Sequence, residues 1–400
     1  MAKRLLPIAV ALCAALCAAA PARAAEPGAG APVSSAAMLY VCCTPAPLQE
    51  RYLAEAKASG AEFVRVDVGL SAIFEGADSR ERPDWSGLDK TIELARRNDV
   101  KLLGIVLDTP AWLSDCPERT AVVSRCAARD PAEFGRLAGE VAAHASGQIG
   151  HWEILNEPDA NWAFKGSPED YARMLSAAYD AIKARVPEAQ VLFGGVERPR
   201  EHEWVRRVFA TPGADAARKF DIAAVHLRLR LRNELRELPR WLTEWRALLA
   251  EHGFEGPVWV TEHGYPADPS HQWDPAYRGG DAGQAALLRD SLPLLAGAGA
   301  SQIFVTLRDN LFGEFLSEGI VHIDEAQPGY PTTRRPSFGV VSELARRWAE
   351  GRAPPAGSGP HEELRRLFER LARASWAAGR PVAAALQEGA ARGHALLAAG

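Results

Sequence analysis

The stretch His151-Trp152-Glu153-Ile154-Leu155-Asn156-Glu157-Pro158-Asp159 decides how this chain is read. Its first half is a short apolar run of the kind that fills a buried strand. Pro158 has no N–H to give to a ladder and marks the end of that strand, so Glu157 stands at its carboxyl end. A second stretch follows the same pattern. Pro257-Val258-Trp259-Val260-Thr261 leads into Glu262-His263-Gly264-Tyr265-Pro266, which places Glu262 at the end of its own strand.

Working outward, short β-branched runs recur at 38–43, 62–68, 101–107, 151–155, 190–194, 221–226, 258–261 and 302–306. Helical patterns lie between them, among them 85–97, 131–145, 168–185, 238–252, 281–298 and 337–350. Asp130-Pro131 and Ser167-Pro168 each set a capping side chain before a first-turn proline. Gly60, Gly253 and Gly299 fall where helices end. Eight strands alternating with helices predict an α/β fold, a (β/α)8 TIM barrel. A doubly wound open sheet is the runner-up. It lacks support because Gly297-Ala298-Gly299 precedes a strand, whereas a phosphate-binding glycine turn follows one.

Of the 400 residues, 47% are apolar and 24% charged, which excludes collagen-like, coiled-coil and wholly disordered chains. The net charge of −5 gives no electrostatic footprint for nucleic acid. Lys3 and Arg4, the apolar run 5–20 and the small-residue pattern around Ala22 and Ala24 form a signal peptide cleaved after Ala24. Its removal takes away Lys3, Arg4 and Arg23 and leaves a net charge of −8. No other segment is long enough to span a membrane. The expected organisation is a signal peptide at 1–24, a linker at 25–37, a catalytic barrel at 38–350, and a linker with a C-terminal helical extension at 351–400. The expected location is periplasmic or secreted.

Two of the six cysteines leave with the signal. Cys116 and Cys126 flank a polar stretch and are expected to form a disulfide in an oxidising compartment. Cys42 and Cys43, read as strand residues, should point to opposite faces, with at least one of them a buried core cysteine.

The chain has no Gly-x-Ser-x-Gly elbow, no phosphate-binding loop and no His-Glu-x-x-His motif. No histidine pair has metal-ligand spacing, so neither metal nor cofactor is expected. The carboxylates remain. Strands four and seven face each other across an eight-stranded barrel, whose active sites lie at the carboxyl ends of the strands. Two opposed carboxylates there suit glycosidic bond cleavage, in which one attacks the anomeric carbon and the other protonates the leaving oxygen.

Trp152-Glu-Ile-Leu-Asn-Glu-Pro158 and Trp259-Val-Thr-Glu-His-Gly-Tyr265 resemble the corresponding motifs of glycoside hydrolase clan A. The likeness is greatest to the family thirty-nine and family five branches. It extends to Val64-Arg65-Val66-Asp67, Thr109-Pro110-Ala111-Trp112, His226 and Leu307-Arg308-Asp309, and spans 38–350. The resemblance implies a retaining enzyme acting on a β-linked oligo- or polysaccharide, with Glu157 as acid/base and Glu262 as nucleophile. A transglycosidase and a non-catalytic sugar-binding barrel are the alternatives. Glu157 is expected to hold its proton because the ionised Glu262 disfavours a second negative charge.

The resemblance further implies that Asn156 binds the sugar 2-hydroxyl. Arg65 either lowers the pKa of Glu262 or sits in a structural ion pair. His226 is either a partner of Glu262 or the sugar, or a core histidine, and His263 is open in the same way. Trp112 and Trp162 fall in rim loops where they could stack on sugar rings, with Trp273 and Phe312 as weaker versions. Arg308 could bind substrate or pair with Asp309. The segment Leu227-Arg-Leu-Arg-Leu-Arg232 departs from the clan pattern. Arg228, Arg230 and Arg232 are either a hint of an acidic polysaccharide or a solvated face.

Overall fold

The computed structural model describes residues 33–352 apart from 77, 79–81, 117–124, 198, 200–201, 230–234, 273 and 310–315. The signal peptide, Trp273, Phe312 and the C-terminal extension lie outside the described residues.

Eight parallel strands close into a barrel in sequence order, with β1 hydrogen-bonded to both β2 and β8. They are β1 (Val33–Tyr40), β2 (Phe63–Val68), β3 (Lys101–Val106), β4 (His151–Ile154), β5 (Gln190–Val196), β6 (Ile222–His226), β7 (Val258–His263) and β8 (Ala300–Thr306). Around them lie α1 (Ala46–Ala58), the short α2 (Leu70–Ile73), α3 (Ser86–Arg97), α4 (Pro131–His144), α5 (Pro168–Arg185), α6 (His202–Phe209), α7 (Glu237–Glu251), α8 (Asp281–Gly297) and α9 (Pro336–Ala349). The expected barrel is therefore present. The capping signals also hold: Asp130 accepts from the Ala132 and Glu133 amides, and Ser167 forms a capping box with Asp170.

β1 begins five residues before the expected run and takes in the end of the stretch read as linker. Ser34 and Ser35 weaken its apolar pattern. The ladder selects them nonetheless, because Ser34 Oγ accepts from the Phe63 amide and from Gln302. The earlier end of the strand, at Tyr40, also corrects the reading of Cys42 and Cys43. Both lie beyond the strand in an exposed turn, and they are disulfide-bonded to each other. Cys116 and Cys126 are bonded as expected, with Cα atoms 5.9 Å apart.

A small hairpin, β9 (Val321–Ile323) with β10 (Thr332–Arg334), follows β8. Three-residue strands carry too little alternation to be seen in sequence.

The barrel interior is layered. Ala36, Phe63, Leu103, Leu192, Ile222, Ala224, Trp259 and Phe304 form an apolar plug, separate from the larger core between sheet and helices. Above the plug, the inward positions of β2, β4 and β7 become charged, and that of β6 is His226. The site described next is thus seated on a packed floor.

Opening the ten-residue Cys116–Cys126 loop should lower stability by about 2–3 kcal/mol. Comparing chemical denaturation of Cys116→Ser with the unsubstituted chain checks this, and an unchanged midpoint would contradict it.

Candidate active site

Alternate residues of a strand share a face, so Arg65 follows Phe63 into the barrel and Glu153 follows His151. Arg65 is fully buried and uses its whole guanidinium. Its Nε donates to Glu153 Oε2 at 2.8 Å and Nη2 to Glu153 Oε1 at 3.1 Å. Nη2 also reaches Asn156 Oδ1 at 2.8 Å, and Nη1 donates to Glu262 Oε1 at 2.6 Å. Glu153 receives two further donors, the Gly195 amide at 2.7 Å and Thr261 Oγ1 at 3.4 Å. One cation thereby ties β2 to β4 and β7.

Glu157 does not simply extend β4. Leu155 and Glu157 have φ of 62° and 45°, in the left-handed region that non-glycine residues rarely enter. Each such residue costs roughly 1–3 kcal/mol and is held by its surroundings. Here Asn156 bridges to Gly195, and the Glu157 amide donates to the Gly195 carbonyl at 3.1 Å. Glu262 is aimed inward by an irregularity in the register of β6 and β7 between Val225 and His226.

His226 lies between the two glutamates. Its Nδ1 is 2.7 Å from Glu157 Oε1 and 3.6 Å from Glu262 Oε2. Burial lowers its pKa to about 4, so it is neutral at neutral pH. We assign the Nδ1–H tautomer, with Nδ1 donating to Glu157. The buried Nε2 has no hydrogen-bond partner and faces Gly195, and an unpaired acceptor there costs less than an unpaired N–H.

Arg228 completes the arrangement. Its Nη2 donates to Glu262 Oε2 at 2.6 Å, its Nε donates to Glu318 at 3.1 Å, and its Nη1 is 3.9 Å from Glu157. Both oxygens of Glu262 therefore accept from guanidinium groups. Burial raises the pKa of Glu262, but the charges of His226 when protonated, Arg228 and Arg65 outweigh it. The carboxyl is held far below its ordinary range. The reading of Arg228 as a hint of an acidic glycan is corrected, because Glu262 and Glu318 already neutralise its charge. Arg230 and Arg232 lie outside the described residues.

Other expected residues divide. Asn156 is in the site with its carbonyl taken by Arg65. Trp162 is 53% exposed in the loop after β4, free to meet a sugar face. Trp112 is half-buried and donates Nε1 to the Phe74 carbonyl at 2.8 Å. Arg308 sits at the end of β8, stacked over Tyr52, and donates to the Asp309 carbonyl and to Glu325. It does not pair with the Asp309 carboxylate, which is taken by Arg335 and His322. His263 is outside the site: it points away from the barrel, with Nδ1 2.6 Å from the Leu227 carbonyl and Nε2 2.8 Å from Ser291 Oγ of α8. Adjacent strand residues face opposite sides, so one of Glu262 and His263 had to turn outward.

Glu153 and Glu318 are members the sequence reading missed, and Arg228 was named there without its role beside Glu262. For Glu153 a signal existed, a carboxylate at an inward position of an apolar strand. Arg228 and Glu318 sit in loops, where no periodicity applies.

Ligand atoms of Glu157, His226 and Glu262 lie within 4.8 Å of one another. A divalent cation accepts such a set in principle. Two guanidiniums already occupy the charge-neutralising positions around Glu262, so a cation would be repelled by Arg65 and Arg228.

The molecule is thus a (β/α)8 barrel with paired glutamates in an arginine-lined carboxyl-end mouth, and the expected likeness to clan A glycosidases holds at the level of fold. It is similar to a family 39 glycoside hydrolase from Bacteroides cellulosilyticus WH2, with a TM-score of 0.55 and 15% identity over 77% of this chain and 63% of that one. An exo-β-1,4-mannosidase from Opitutaceae bacterium strain TAV5 gives a TM-score of 0.57 and 17% identity over 80% of this chain and 60% of that one. A β-glucosidase from Pyrococcus furiosus gives 0.55 and 17% over 75% and 84%. The chain thus spans about three fifths of the first two. No family sequence model and no curated protein sequence matches it.

Two outcomes follow from this geometry. A Cβ on Gly195 would run into His226 and come within 2.9 Å of Glu153 Oε1, so Gly195→Ala should displace His226 and destabilise the fold by 1–3 kcal/mol, of the order of an overpacked core; unchanged thermal unfolding would contradict this. Burial lowers the pKa of His263 from 6.5 to about 4. The unfolded chain binds more protons between those values, so stability rises with pH across that window and is lost as pH falls through it, by roughly 3 kcal/mol. Thermal unfolding measured from pH 7 to 4 should therefore lose part of its slope in His263→Gln.

Proposed function

We propose that the protein is a retaining glycoside hydrolase acting on a β-linked oligo- or polysaccharide, exported through its amino-terminal signal. The observation that carries this reading is the close approach of Glu157 and Glu262, their nearest oxygens within 4.8 Å, around a nucleophile held ionised. Retaining enzymes separate their carboxylates by about 5–5.5 Å, and inverting ones by about 6.5–9.5 Å to admit a water.

Glu262 attacks the anomeric carbon. Arg65 and Arg228 keep it charged and oriented, and each carboxylate oxygen retains a second lone-pair direction for the attack. Glu157 gives its proton to the departing oxygen. The cluster already sets three carboxylates, Glu153, Glu262 and Glu318, against two guanidiniums, which disfavours a further negative charge and keeps Glu157 protonated. Because Glu157 Oε1 accepts from His226, His226 directs the proton of Glu157 to Oε2. After departure, Glu157 takes a proton from a water whose oxygen bonds to the anomeric carbon, breaking the ester bond to Glu262 and freeing the sugar.

Glu262→Gln should abolish turnover of aryl β-glycosides, and near-normal rates in that variant would overturn the mechanism. Glu157→Ala should slow substrates with poor leaving groups by roughly 100-fold or more, while activated aryl glycosides suffer less in the glycosylation step. Equal losses across leaving groups would count against the acid role. Product analysis with a sugar acceptor separates hydrolysis from transglycosylation.

A further inference from the structure

The tops of β8, β1 and β2 carry a polar group that this reaction does not use. The inward positions of β2 are Phe63 in the plug, Arg65 above it, and then Asp67 nearest the mouth. Asp67 is in register with Tyr40 of β1, which is 43% exposed at the rim. The charged groups facing Asp67 are Arg65 on its own strand, Glu262 on β7, Glu153 on β4 and Arg308 after β8.

Asp67 is only 8% exposed. Among the described residues no N–H or O–H donates to its carboxylate. Its oxygens are not fully enclosed, so a hydroxyl entering from the mouth can reach them, while the fold itself supplies none of the donors a largely buried charge needs. Its pKa is accordingly pushed up to about 7 by burial. Glu153 and Glu262, by contrast, have donors on both oxygens.

The glycosidase reading supplies the direction. The leaving group lies toward Glu157 on β4. The rest of the reacting sugar therefore extends away from it, toward β8, β1 and β2. We propose that Asp67, flanked by Tyr40 and Arg308, binds the glycone, accepting hydrogen bonds from its hydroxyls and selecting a neutral sugar over a uronic acid. The inference rests on the glycosidase reading for this orientation, but its test does not require turnover.

Neutral β-linked di- and trisaccharides of glucose, mannose, xylose and galactose are titrated calorimetrically into the full chain and into Asp67→Asn, with uronate-terminated counterparts alongside. The expected result is binding of at least one neutral sugar, weakened by roughly 10- to 100-fold in Asp67→Asn, as for a hydrogen bond to a charged group. A deoxy analogue lacking the recognised hydroxyl should weaken binding to the unsubstituted chain by a similar factor and bind Asp67→Asn little worse than the parent sugar does. This second arm reads the same contact without altering the protein. Equal binding by Asp67→Asn, uronate binding as tight as neutral, or no binding from the whole panel would each overturn the proposal. Binding with the Asp67 dependence but without turnover would support the subsite and overturn the hydrolase reading alone.

Discussion

Arg65 is the constraint on which the rest depends. Its guanidinium is shared among Glu153, Asn156 and Glu262, which come from strands on different sides of the barrel. Burial opposes its charge, and the carboxylates around it, Glu153 first, more than restore it. Removing one partner from such a cluster leaves an uncompensated charge in the interior, so the members stand or fall together. The same contacts that hold β2, β4 and β7 in place therefore set the charge state and direction of Glu262. Structural and chemical roles are not separable at this residue.

The surrounding design divides the labour. The plug of Phe63, Trp259, Phe304 and their neighbours gives the cluster a dry floor. Left-handed residues on either side of Asn156 turn Glu157 away from the path of the strand. Gly195 leaves room for the imidazole of His226 where any side chain would displace it. Each feature is a local departure from regular strand geometry, and all converge on two carboxyl groups.

Much of this was legible in the chain. The barrel follows from alternating short apolar runs and capped helices, because buried parallel strands and amphipathic helices leave distinct periods. Glu157 and Glu262 were marked by Pro158 and by the length of their runs. Less was legible where periodicity is short or broken. β1 was misplaced because Ser34 and Ser35 interrupt its pattern, although they satisfy hydrogen bonds inside the barrel. Cys42 and Cys43 were misjudged for the same reason, since a shifted strand end moves them into a turn.

Local sequence determined the order of elements and the candidacy of two glutamates, since each depends on neighbours within one strand or helix, whereas closure into a barrel is made by the pairing of β1 with β8. Only the tertiary structure decided that Arg228 clamps Glu262, that His226 serves Glu157, that His263 faces a helix and that Asp67 lies buried without a donor. Those facts depend on strand register and on residues brought together from distant parts of the chain, and no pattern along one segment encodes a contact with another.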